Sequence, residues 1–570
     1  MLRELLEKYP RERTWLLPAL LDVQRTERWL SADALAQVAA HLRVPLSEVW
    51  GVATHYPELR LQQPGRRIVR VCAGVSCRAR GAATLMQTFE RRLGVRAGET
   101  SADGEVTLEA LDCAFACAVA PVVEVDHRYH GRVDVSDVEA VLAIGPLRPV
   151  AGHATAGVPP SPLPSAGSPG ARFTHLKREA ERRRTGARLA VGLGTCGLAV
   201  GAAETYRILH EECERRQLPF SVVAAGCNGM CWAAPVVEVL RDGRPRLTVG
   251  PVPPHGVGRL LNALGANVPV QELHAGAEFM EPQRRVLLAR CGLADPGDIA
   301  DALRHGTYEA FANALEDGRP ERVIEEVRAA GLAGRGGAYF HTATKWAACR
   351  AAPGTPKIVI VNGEEGEPGI FKDRHLMEGD PHRLLEAVLL AAFAAGASRG
   401  ILYIHGEAEL AAERMAVALD QARAWGVVGP GILGSEFSLE LEIRRGAGGF
   451  VLGEETALLE SIEGRRAMPR TRPPFPVEAG LEGRPTIINN VETLFAVPAI
   501  VQRGGTWFAG LGRGRGTKLF GLSGDVARPG VLEMELGCTL ETLLEEIGGG
   551  SASGRPIRAA VKSSGRSRVS

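Results

Sequence analysis

Four cysteines in the first quarter of the sequence have the spacing of a metal-binding site. Cys72 and Cys77 are separated by four residues, and Cys113 and Cys117 by three. Two pairs of thiolates presented from two loops suit a [2Fe-2S] cluster, because four sulfurs surround its two irons. The alternatives are a structural zinc, which usually has tight spacing in both pairs, and four unrelated buried thiols. The pattern favours the [2Fe-2S] cluster.

A glycine-rich stretch from Gly331 to Trp346 is the second candidate site. Gly334, Gly336 and Gly337 have no Cβ and permit positive φ, so successive N–H groups can point at a phosphate. Lys345 adds a positive charge to the same stretch. The alternative is an ordinary turn, because glycine-rich segments are common in a chain with 68 glycines.

An acidic turn follows a short apolar run. Residues Lys357–Val361 predict a β-strand, which leads into Asn362 and then into three glutamates, Glu364, Glu365 and Glu367. Folds of the α/β class place ligand-binding groups at the carboxyl ends of buried strands. A solvated acidic turn is the alternative, but the apolar sequence on both sides favours a binding site.

Two further motifs carry polar groups suited to a nucleotide or a flavin. The stretch Gly446–Glu455, with Gly453, Glu454 and Glu455 at its end, predicts a glycine-rich loop that opens a helix. The N–H groups and the dipole of a helix N-terminus form a ready anion site. Asn489 and Asn490 offer amide donors and acceptors that suit a ring edge such as that of isoalloxazine.

The cysteine region is partly repeated later in the chain. Ala-Pro-Val-Val-Glu-Val follows both Cys113-x3-Cys117 and Cys227-x3-Cys231, which indicates a duplication. Gly192 and Gly197 stand where the first copy has Cys72 and Cys77, and Cys196 is shifted by one position. The second copy therefore offers three ligands, Cys196, Cys227 and Cys231. Either it holds a second cluster, or it is a structural module without a metal.

Length and composition limit the class of protein. A chain of 570 residues is too long for one hydrophobic core, and a net charge of +1 gives no reason to expect nucleic acid as the main partner. The sequence has no apolar run long enough to span a membrane and no signal-peptide pattern at Met1, so we expect a cytoplasmic protein. Closely paired cysteines in that compartment favour metal ligation over disulfides.

The motifs together resemble a known family. Gly331–Trp346, Asn362–Arg374, Gly446–Gly464 and Asn489–Pro498 resemble the flavin-bearing, NADH-binding subunit of respiratory complex I and its relatives in NAD-linked hydrogenases and formate dehydrogenases. The four-cysteine module resembles the thioredoxin-like [2Fe-2S] subunit that accompanies it. The chain is therefore similar to a fusion of the two subunits, with an additional thioredoxin-like module between them.

This resemblance implies an α/β multidomain fold in six segments. They are a helical bundle (1–60), a thioredoxin-like [2Fe-2S] domain (61–150), a flexible linker (151–175), a second thioredoxin-like ferredoxin module with incomplete ligands (176–265), an α/β FMN- and NADH-binding domain (266–510) and a β-grasp-like C-terminal domain (511–570). The linker also follows from a stretch rich in proline, glycine, serine and alanine with almost no charge.

The resemblance also implies roles for individual residues. Glu365 and Lys345 would be catalytic. Phe340 and Phe475 would stack on the adenine of NADH, and Glu367 would accept hydrogen bonds from the ribose hydroxyls and disfavour the 2′-phosphate of NADPH. The expected FMN- and NADH-binding set is Gly334, Arg335, Gly336, Gly337, Phe340, Lys345, Asn362, Glu364, Glu365, Glu367, Gly453, Glu454, Glu455, Phe475, Asn489, Asn490 and Thr493. Cys72, Cys77, Cys113 and Cys117 would hold the [2Fe-2S] cluster.

The sequence departs from the family in several places. Tyr339-Phe340-His341 replaces the usual Gly-Phe-Pro, and Ala348 replaces a common aromatic, so we expect weaker nucleotide stacking. The family's C-terminal Cys-x2-Cys-x2-Cys motif for a [4Fe-4S] cluster is not found, and Cys538 alone cannot replace it. Either the sequence is truncated or frameshifted, or electrons leave by another route.

Two functional hypotheses follow. The first is an NADH dehydrogenase (diaphorase) module in which FMN accepts hydride from NADH and single electrons pass to the [2Fe-2S] cluster and to partner subunits. The second is a nucleotide-binding assembly or regulatory subunit that has lost its electron path. We expect partners in an NADH-dependent electron-transfer complex, with at most a peripheral location at the inner face of a membrane. Sequence alone leaves the terminal acceptor (quinone, hydrogenase or formate dehydrogenase) and the redox direction open.

Overall fold

The N-terminal region is helical, as predicted. The computed structural model describes residues 2–143, 167–183, 186–241, 243–266 and 274–561. Its first helices are α1 (Leu2–Leu6), α2 (Leu16–Glu27), α3 (Ala32–Leu42) and α4 (Leu46–Ala53). Ser31 caps α3, because its hydroxyl accepts a hydrogen bond from the Ala34 N–H at 3.1 Å.

A four-stranded sheet follows the helices. Its elements are β1 (Arg67–Cys72), α5 (Val75–Ala79), α6 (Ala82–Leu93), β2 (Val106–Leu111), β3 (Val122–Val125), β4 (Arg128–Gly131) and α7 (Val138–Ala143). The strand order is β2-β1-β3-β4, with β1 parallel to β2 and antiparallel to β3. Valines and leucines that alternate along these strands form its core with Phe89.

The second copy of the cysteine region folds in the same way. Its elements are α8 (Pro169–Glu181), β5 (Arg188–Gly192), α9 (Thr195–Leu198), α10 (Ala202–Arg215), β6 (Ser221–Ala225), β7 (Val237–Leu240), β8 (Leu247–Val249) and α11 (Val257–Gly265). The strand order, β6-β5-β7-β8, and the strand directions repeat those of the first sheet. The sequence repeat is therefore a structural repeat.

The predicted linker at 151–175 is wrong in its last part. Residues 151–166 lie outside the described residues, but Pro169–Glu181 forms helix α8. Ser168 caps this helix, and Phe173, Leu176 and Ala180 are buried against later helices. The proline and glycine at its start misled the interpretation, because proline is well tolerated in the first turn of a helix.

A parallel sheet organises the second half of the chain. The helices before it are α12 (His274–Met280), α13 (Ile299–Arg304), α14 (Glu309–Asp317), α15 (Pro320–Ala329) and α16 (Thr342–Ala351). Then come β9 (Lys357–Gly363), α17 (Lys372–Gly379), α18 (Pro381–Ala395), β10 (Ala397–Ile404), α19 (Glu409–Ala424), β11 (Glu440–Arg445), α20 (Glu455–Ile462), α21 (Pro476–Ala479), β12 (Thr486–Asn490), α22 (Val491–Arg503) and α23 (Gly505–Ala509). The strand order is β11-β10-β9-β12, and every neighbouring pair is parallel.

The two faces of this sheet are covered by different parts of the chain. Helix α18 packs on one face, whereas α2, α3 and α4 contribute to a core with Ile358, Ile360, Ile401 and Tyr403 from the other. A parallel sheet must be buried on both sides, so the N-terminal helices supply one of its covering layers. The helices of segment 1–60 therefore pack on one another and on the parallel sheet.

The last described strands, β13 (Thr517–Leu522) and β14 (Gly530–Glu535), form an antiparallel hairpin. A short π-helix at Thr542–Ile547 follows. The hairpin packs on the second sheet module, where the Val531 N–H donates to the Gly229 carbonyl at 3.0 Å. Among the described residues, no helix combines the length and the apolar composition needed to cross a bilayer.

Candidate functional site

The polar motifs of the second half of the chain meet at one edge of the parallel sheet. Strands β9 and β12 lie side by side in register, with Asn362 opposite Asn490 and Val361 opposite Asn489. His405 and Gly446 follow the last residues of β10 and β11 at the same edge. The carboxyl ends of parallel strands therefore bring together residues that are far apart in sequence.

The glycine-rich stretch folds into a closed loop beside Asn490. The Gly334 N–H donates to the Phe340 carbonyl at 2.9 Å, and the Arg335 N–H donates to the Thr493 hydroxyl at 2.8 Å. Gly336 faces the Asn490 side chain so closely that a Cβ would lie 3.1 Å from the Asn490 Cβ. Gly337 adopts a φ of 111°, which a glycine reaches without strain.

Arg335 is the clearest sign of an anion in this loop. Arg335 is only 4% exposed, and its Nη2 atom is buried with no hydrogen-bond partner among the described residues. A buried guanidinium nitrogen without an acceptor is costly, so the loop suits a ligand that carries phosphate or another anion.

The helix that leaves the loop fixes two further residues. Lys345 Nζ lies 2.9 Å from Glu455 Oε2 and donates to the Ile488 carbonyl at 3.1 Å. Trp346 Nε1 donates to Asn489 Oδ1 at 2.8 Å, and both residues are buried. The structure thus joins Gly331–Trp346 directly to the end of β12, as the clustering of motifs predicted.

The acidic turn after β9 is more tightly bonded than a solvated turn. Asn362 Nδ2 donates to the Gly453 carbonyl at 3.0 Å. Glu365 caps helix α17, because its carboxylate accepts backbone hydrogen bonds from Lys372, Asp373 and Arg374 at 2.9 to 3.1 Å. Burial, together with the nearby Asp373 carboxylate, raises the pKa of Glu365 to about 7.

The predicted glutamates differ in where their carboxylates point. Glu364 has a fully buried side chain that is hydrogen-bonded to His405. Glu367 is half-buried in the turn that follows, where its carbonyl accepts from the Ile370 N–H at 3.1 Å. The structure therefore brings Glu367 to the outer part of the turn and Glu364 to the interior.

The N-terminus of helix α20 is not free, so the prediction that its N–H groups bind an anion is wrong. Glu454 Oε2 accepts hydrogen bonds from the Thr456 and Ala457 N–H groups at 2.8 and 2.9 Å. The chain's own carboxylate thus occupies the N–H groups that were predicted to bind an anion. Arg472 pairs with both Glu454 and Glu455 and closes this side of the site.

Exposed aromatic side chains lie on the glycine-rich loops and at the start of α21. Phe340 and Phe475, the predicted stacking residues, are 54% and 50% exposed. Tyr339 and Phe450, which the sequence reasoning missed, are 57% and 69% exposed in the same two glycine-rich loops. The position of these two aromatic residues next to runs of glycine in the sequence could have identified them.

The four cysteines of the first sheet converge as predicted. All four are buried, and the Cys113 and Cys117 sulfurs lie 3.7 Å apart. Backbone N–H groups of Ala114 and Phe115 point at the sulfurs of Cys72 and Cys113, at 3.4 and 3.3 Å. Such hydrogen bonds stabilise the thiolates of an iron–sulfur centre, so this donor set fits a [2Fe-2S] cluster.

The cysteine loop lies against the acidic turn and helix α17 of the parallel-sheet domain. Arg374 Nη1 donates to the Ala114 carbonyl at 3.2 Å. Phe115 meets His405 edge to face, with ring centroids 4.9 Å apart. No sequence pattern could have identified Arg374 or His405, because each contacts a loop about 260 to 290 residues away.

The three later cysteines do not reproduce this site. Cys227 and Cys231 have their sulfurs 3.7 Å apart, and Cys196 is buried. A Cβ at Gly197 would overlap the Gly192 carbonyl oxygen, so a side chain corresponding to Cys77 has no room. The residues therefore do not fit a four-thiolate cluster of the first type.

Family models match both halves of this arrangement. Residues 327–499 match the model of the Nuo51 FMN-binding domain, and residues 2–144 match that of the thioredoxin-like [2Fe-2S] ferredoxin. The chain contains both domains. The second match includes the N-terminal helices, and the first covers all four of the flavin motifs found in the sequence.

Relatives confirm the family resemblance. The chain is 47% identical over 278 residues to the NADH-quinone oxidoreductase F 2 subunit of Rhizobium meliloti (strain 1021), an alignment that covers 48% of this chain and 66% of the relative. It is 42% identical over 279 residues to NADP-reducing hydrogenase subunit HndC of Solidesulfovibrio fructosivorans, covering 49% and 56%. The chain thus spans less than two thirds of the length of these curated relatives.

A solved structure matches nearly the whole chain. The air-oxidized NAD⁺-reducing [NiFe]-hydrogenase superposes with a TM-score of 0.59 and 27% identity over 95% of this chain and 71% of the hydrogenase chain. The multidomain α/β arrangement, with a thioredoxin-like [2Fe-2S] domain and a Nuo51 domain, therefore also occurs in that structure.

Proposed function

We propose that this chain is an NADH:acceptor oxidoreductase module that uses FMN and one [2Fe-2S] cluster. The contact between the two sites carries the proposal, since the Arg374 guanidinium donates to the Ala114 carbonyl of the Cys113–Cys117 loop and Phe115 of that loop packs on His405. FMN supplies the conversion between the hydride of a nicotinamide and the single electrons that iron–sulfur clusters accept. A flavin site in contact with a cluster site suits that exchange.

In this proposal the chain's residues hold and orient the two ligands. The buried, unpartnered Arg335 Nη2 receives a phosphate of FMN or NADH, and Gly336 allows close approach beside Asn490. The remaining flavin-site residues are Gly334, Gly337, Asn362, Glu364, Gly453, Glu454, Glu455, Asn489 and Thr493. Lys345 and Glu365, expected as catalytic, act as positioning residues, because one is bonded to Glu455 and the other caps α17.

The nucleotide packs against the exposed aromatic residues of these loops. Phe340 and Phe475 stack on its adenine, since each exposes an apolar ring face that gains from leaving water. Glu367 accepts from the ribose hydroxyls and disfavours a 2′-phosphate. The relatives carry names that refer to NADH and to NADP, so the nucleotide preference of this chain needs its own measurement.

Two segments outside the matched domains, and the partner subunits, also belong to the proposal. The second sheet module (176–265) is a thioredoxin-like domain without a complete ligand set, and 511–570 contributes a β-grasp-like segment that begins with the β13–β14 hairpin. The named relatives are subunits of oxidoreductases and hydrogenases. We therefore place this chain in an NADH-dependent electron-transfer complex, where partner subunits receive its electrons.

The test uses the full chain reconstituted with FMN, iron and sulfide. NADH should reduce ferricyanide, and the reduced protein should give one [2Fe-2S] signal by electron paramagnetic resonance. Cys117→Ser should abolish that signal but keep bound FMN, whereas the matched variant Cys227→Ser should keep both. Absence of NADH-dependent reduction in the FMN-loaded protein would refute the proposal and favour a regulatory, nucleotide-binding role.

A further inference from the structure

A second group of possible metal ligands lies where three parts of the chain meet. Glu58 follows the N-terminal helices, whereas His405 and Glu407 follow strand β10 of the FMN domain. One ligand atom from each residue lies within 4.8 Å of the other two. Arg70 of the thioredoxin-like sheet borders the group, with Nη1 3.2 Å from Glu407 Oε1.

The imidazole of His405 is oriented as it is in metal sites. Its Nδ1 is hydrogen-bonded to Glu364 Oε1, and the two side chains are only 6% and 0% exposed. Histidine ligands commonly bond a carboxylate through one ring nitrogen, which leaves the other for the metal. The Nε2 atom of His405 is therefore the nitrogen available to a cation shared with Glu58 and Glu407.

The carboxylates around this point share two arginines and the imidazole of His405 as their cationic partners. Arg70 is bonded to Glu407 and also, at 2.6 Å, to Glu124. Arg445 donates to the Gly406 carbonyl and to Glu409 instead. The buried Oε1 of Glu58 and Oε2 of Glu364 have no hydrogen-bond partner in the described parts of the chain. Buried, unpaired carboxylate oxygens are unfavourable unless a cation or a proton neutralises them.

Glycines make room for the carboxylates to converge. A Cβ at Gly406 would lie 2.8 Å from Glu58 Oε1, and a Cβ at Gly446 would lie 2.7 Å from Glu364 Oε2. These two backbones are themselves close, since the same Cβ at Gly406 would lie 2.7 Å from the Gly446 carbonyl oxygen. The two unpartnered oxygens thus border one small space beside His405.

We propose that Glu58, His405 and Glu407 bind one Zn²⁺, with Glu364 holding the imidazole in place. One imidazole and two carboxylates suit zinc, whereas magnesium and calcium prefer oxygen ligands alone. Zinc has no redox chemistry, so the ion takes no electrons from the flavin or the cluster. It joins the N-terminal helices to the FMN domain, and Phe115 between the cluster cysteines packs on its histidine.

The experiment is zinc analysis and zinc K-edge absorption spectroscopy of the FMN-loaded full chain after dialysis against zinc. We expect one zinc with nitrogen and oxygen neighbours at about 2.0–2.2 Å. His405→Gln and Glu58→Gln should each lower zinc affinity at least about tenfold. The matched variant Glu409→Gln, which changes a nearby glutamate outside the group, should retain zinc.

Two results would overturn the site: no zinc in the dialysed wild-type chain, or zinc whose neighbours are sulfur atoms at about 2.3 Å, which would indicate the cysteine sites. The zinc content and the spectrum of the wild-type chain distinguish these results, so the test does not depend on whether a variant folds. Ferricyanide reduction by NADH is measured on the same samples. A wild-type chain that takes up no zinc but retains this activity would reject the site and leave the proposed function standing.

Discussion

Glu492 offers a sharp test of what holds the flavin side of the molecule together. It is fully buried at the start of α22, next to Asn490, and its Oε2 lies 3.0 Å from Lys372 Nζ and 3.3 Å from Lys518 Nζ. Its Oε1 accepts the Leu519 N–H at 2.9 Å. Lys518 in turn donates to the Arg335 carbonyl at 3.4 Å, which links the ion group to the glycine-rich loop.

The isosteric change Glu492→Gln keeps the bond to Leu519 but removes the charge between two buried ammonium groups. Lys372 keeps its pair with Asp373, but Lys518 loses its one carboxylate partner among the described residues. Removing one partner of a buried ion pair costs about 3–5 kcal/mol. For a domain of this size that corresponds to a fall in melting temperature of roughly 6–20 °C. Because Arg335 loses support from Lys518, the affinity for FMN should fall as well.

The assay is thermal unfolding followed by FMN release and tryptophan fluorescence. Glu482→Gln is the matched control, since Glu482 forms a surface pair with Arg399 and is 43% exposed, where such pairs contribute about 0–1 kcal/mol. If both variants melt within about 2 °C of the wild type, the ion group does not stabilise the domain and the reasoning fails.

The stability difference between the wild type and Glu492→Gln should depend on pH. Burial alone would raise the pKa of Glu492, but Lys372 and Lys518 outweigh it and hold the pKa below its ordinary value. A lowered pKa in the folded state contributes stability above the unfolded pKa, and this contribution is lost as the pH falls through the folded value. The gap between wild type and Glu492→Gln should therefore be full at about pH 7 and shrink in acid.

Three further predictions concern other residues. Trp346→Phe removes the indole N–H that donates to Asn489 Oδ1 and should weaken FMN binding about tenfold in a titration. The control Trp425→Phe should not weaken FMN binding, because the buried indole nitrogen of Trp425 has no partner among the described residues. Burial raises the pKa of Glu386 to about 7, so the stability that its protonated form contributes is present below about pH 4.5 and is lost as the pH rises through 7. In denaturant titrations, Glu386→Gln should therefore raise the free energy of unfolding at about pH 8 by at most about 3 kcal/mol. It should leave the free energy of unfolding unchanged near about pH 4.5. Glu367→Gln should raise kcat/KM for NADPH relative to NADH about tenfold, and an unchanged ratio would remove Glu367 from the nucleotide site.

Local patterns in the sequence predicted the parts of the sites that depend on residue spacing and on where a strand ends. The cysteine spacing placed Cys72 and Cys113 in one buried group, and the end of β9 placed Asn362 at the ligand-binding edge of the sheet. Both predictions depend on short-range geometry, namely the reach of a loop and the direction of a strand. That kind of information survives in a single sequence.

The parts that failed depend on contacts between distant segments or on competition for the same donors. His405 pairs with Glu364, and Arg374 reaches Ala114, across separations of 41 and 260 residues. The N–H groups at the start of α20 were expected to bind an anion, but Glu454 is the N-cap residue and its carboxylate accepts hydrogen bonds from them. Helix α8 was missed because tertiary burial of Phe173 outweighs a composition that is typical of linkers.

The layer of N-terminal helices on the parallel sheet has a consequence for synthesis of the chain. Tyr56 donates to the Arg465 carbonyl across 409 residues at 2.8 Å, and closing a loop of that length costs about 5 kcal/mol in chain entropy. The first helices to leave the ribosome must therefore wait, with their apolar faces exposed, until strands β9 and β10 have been made. We expect folding to be slow and to depend on chaperones, and an FMN domain expressed from residue 274 onward to aggregate unless residues 2–60 are supplied with it.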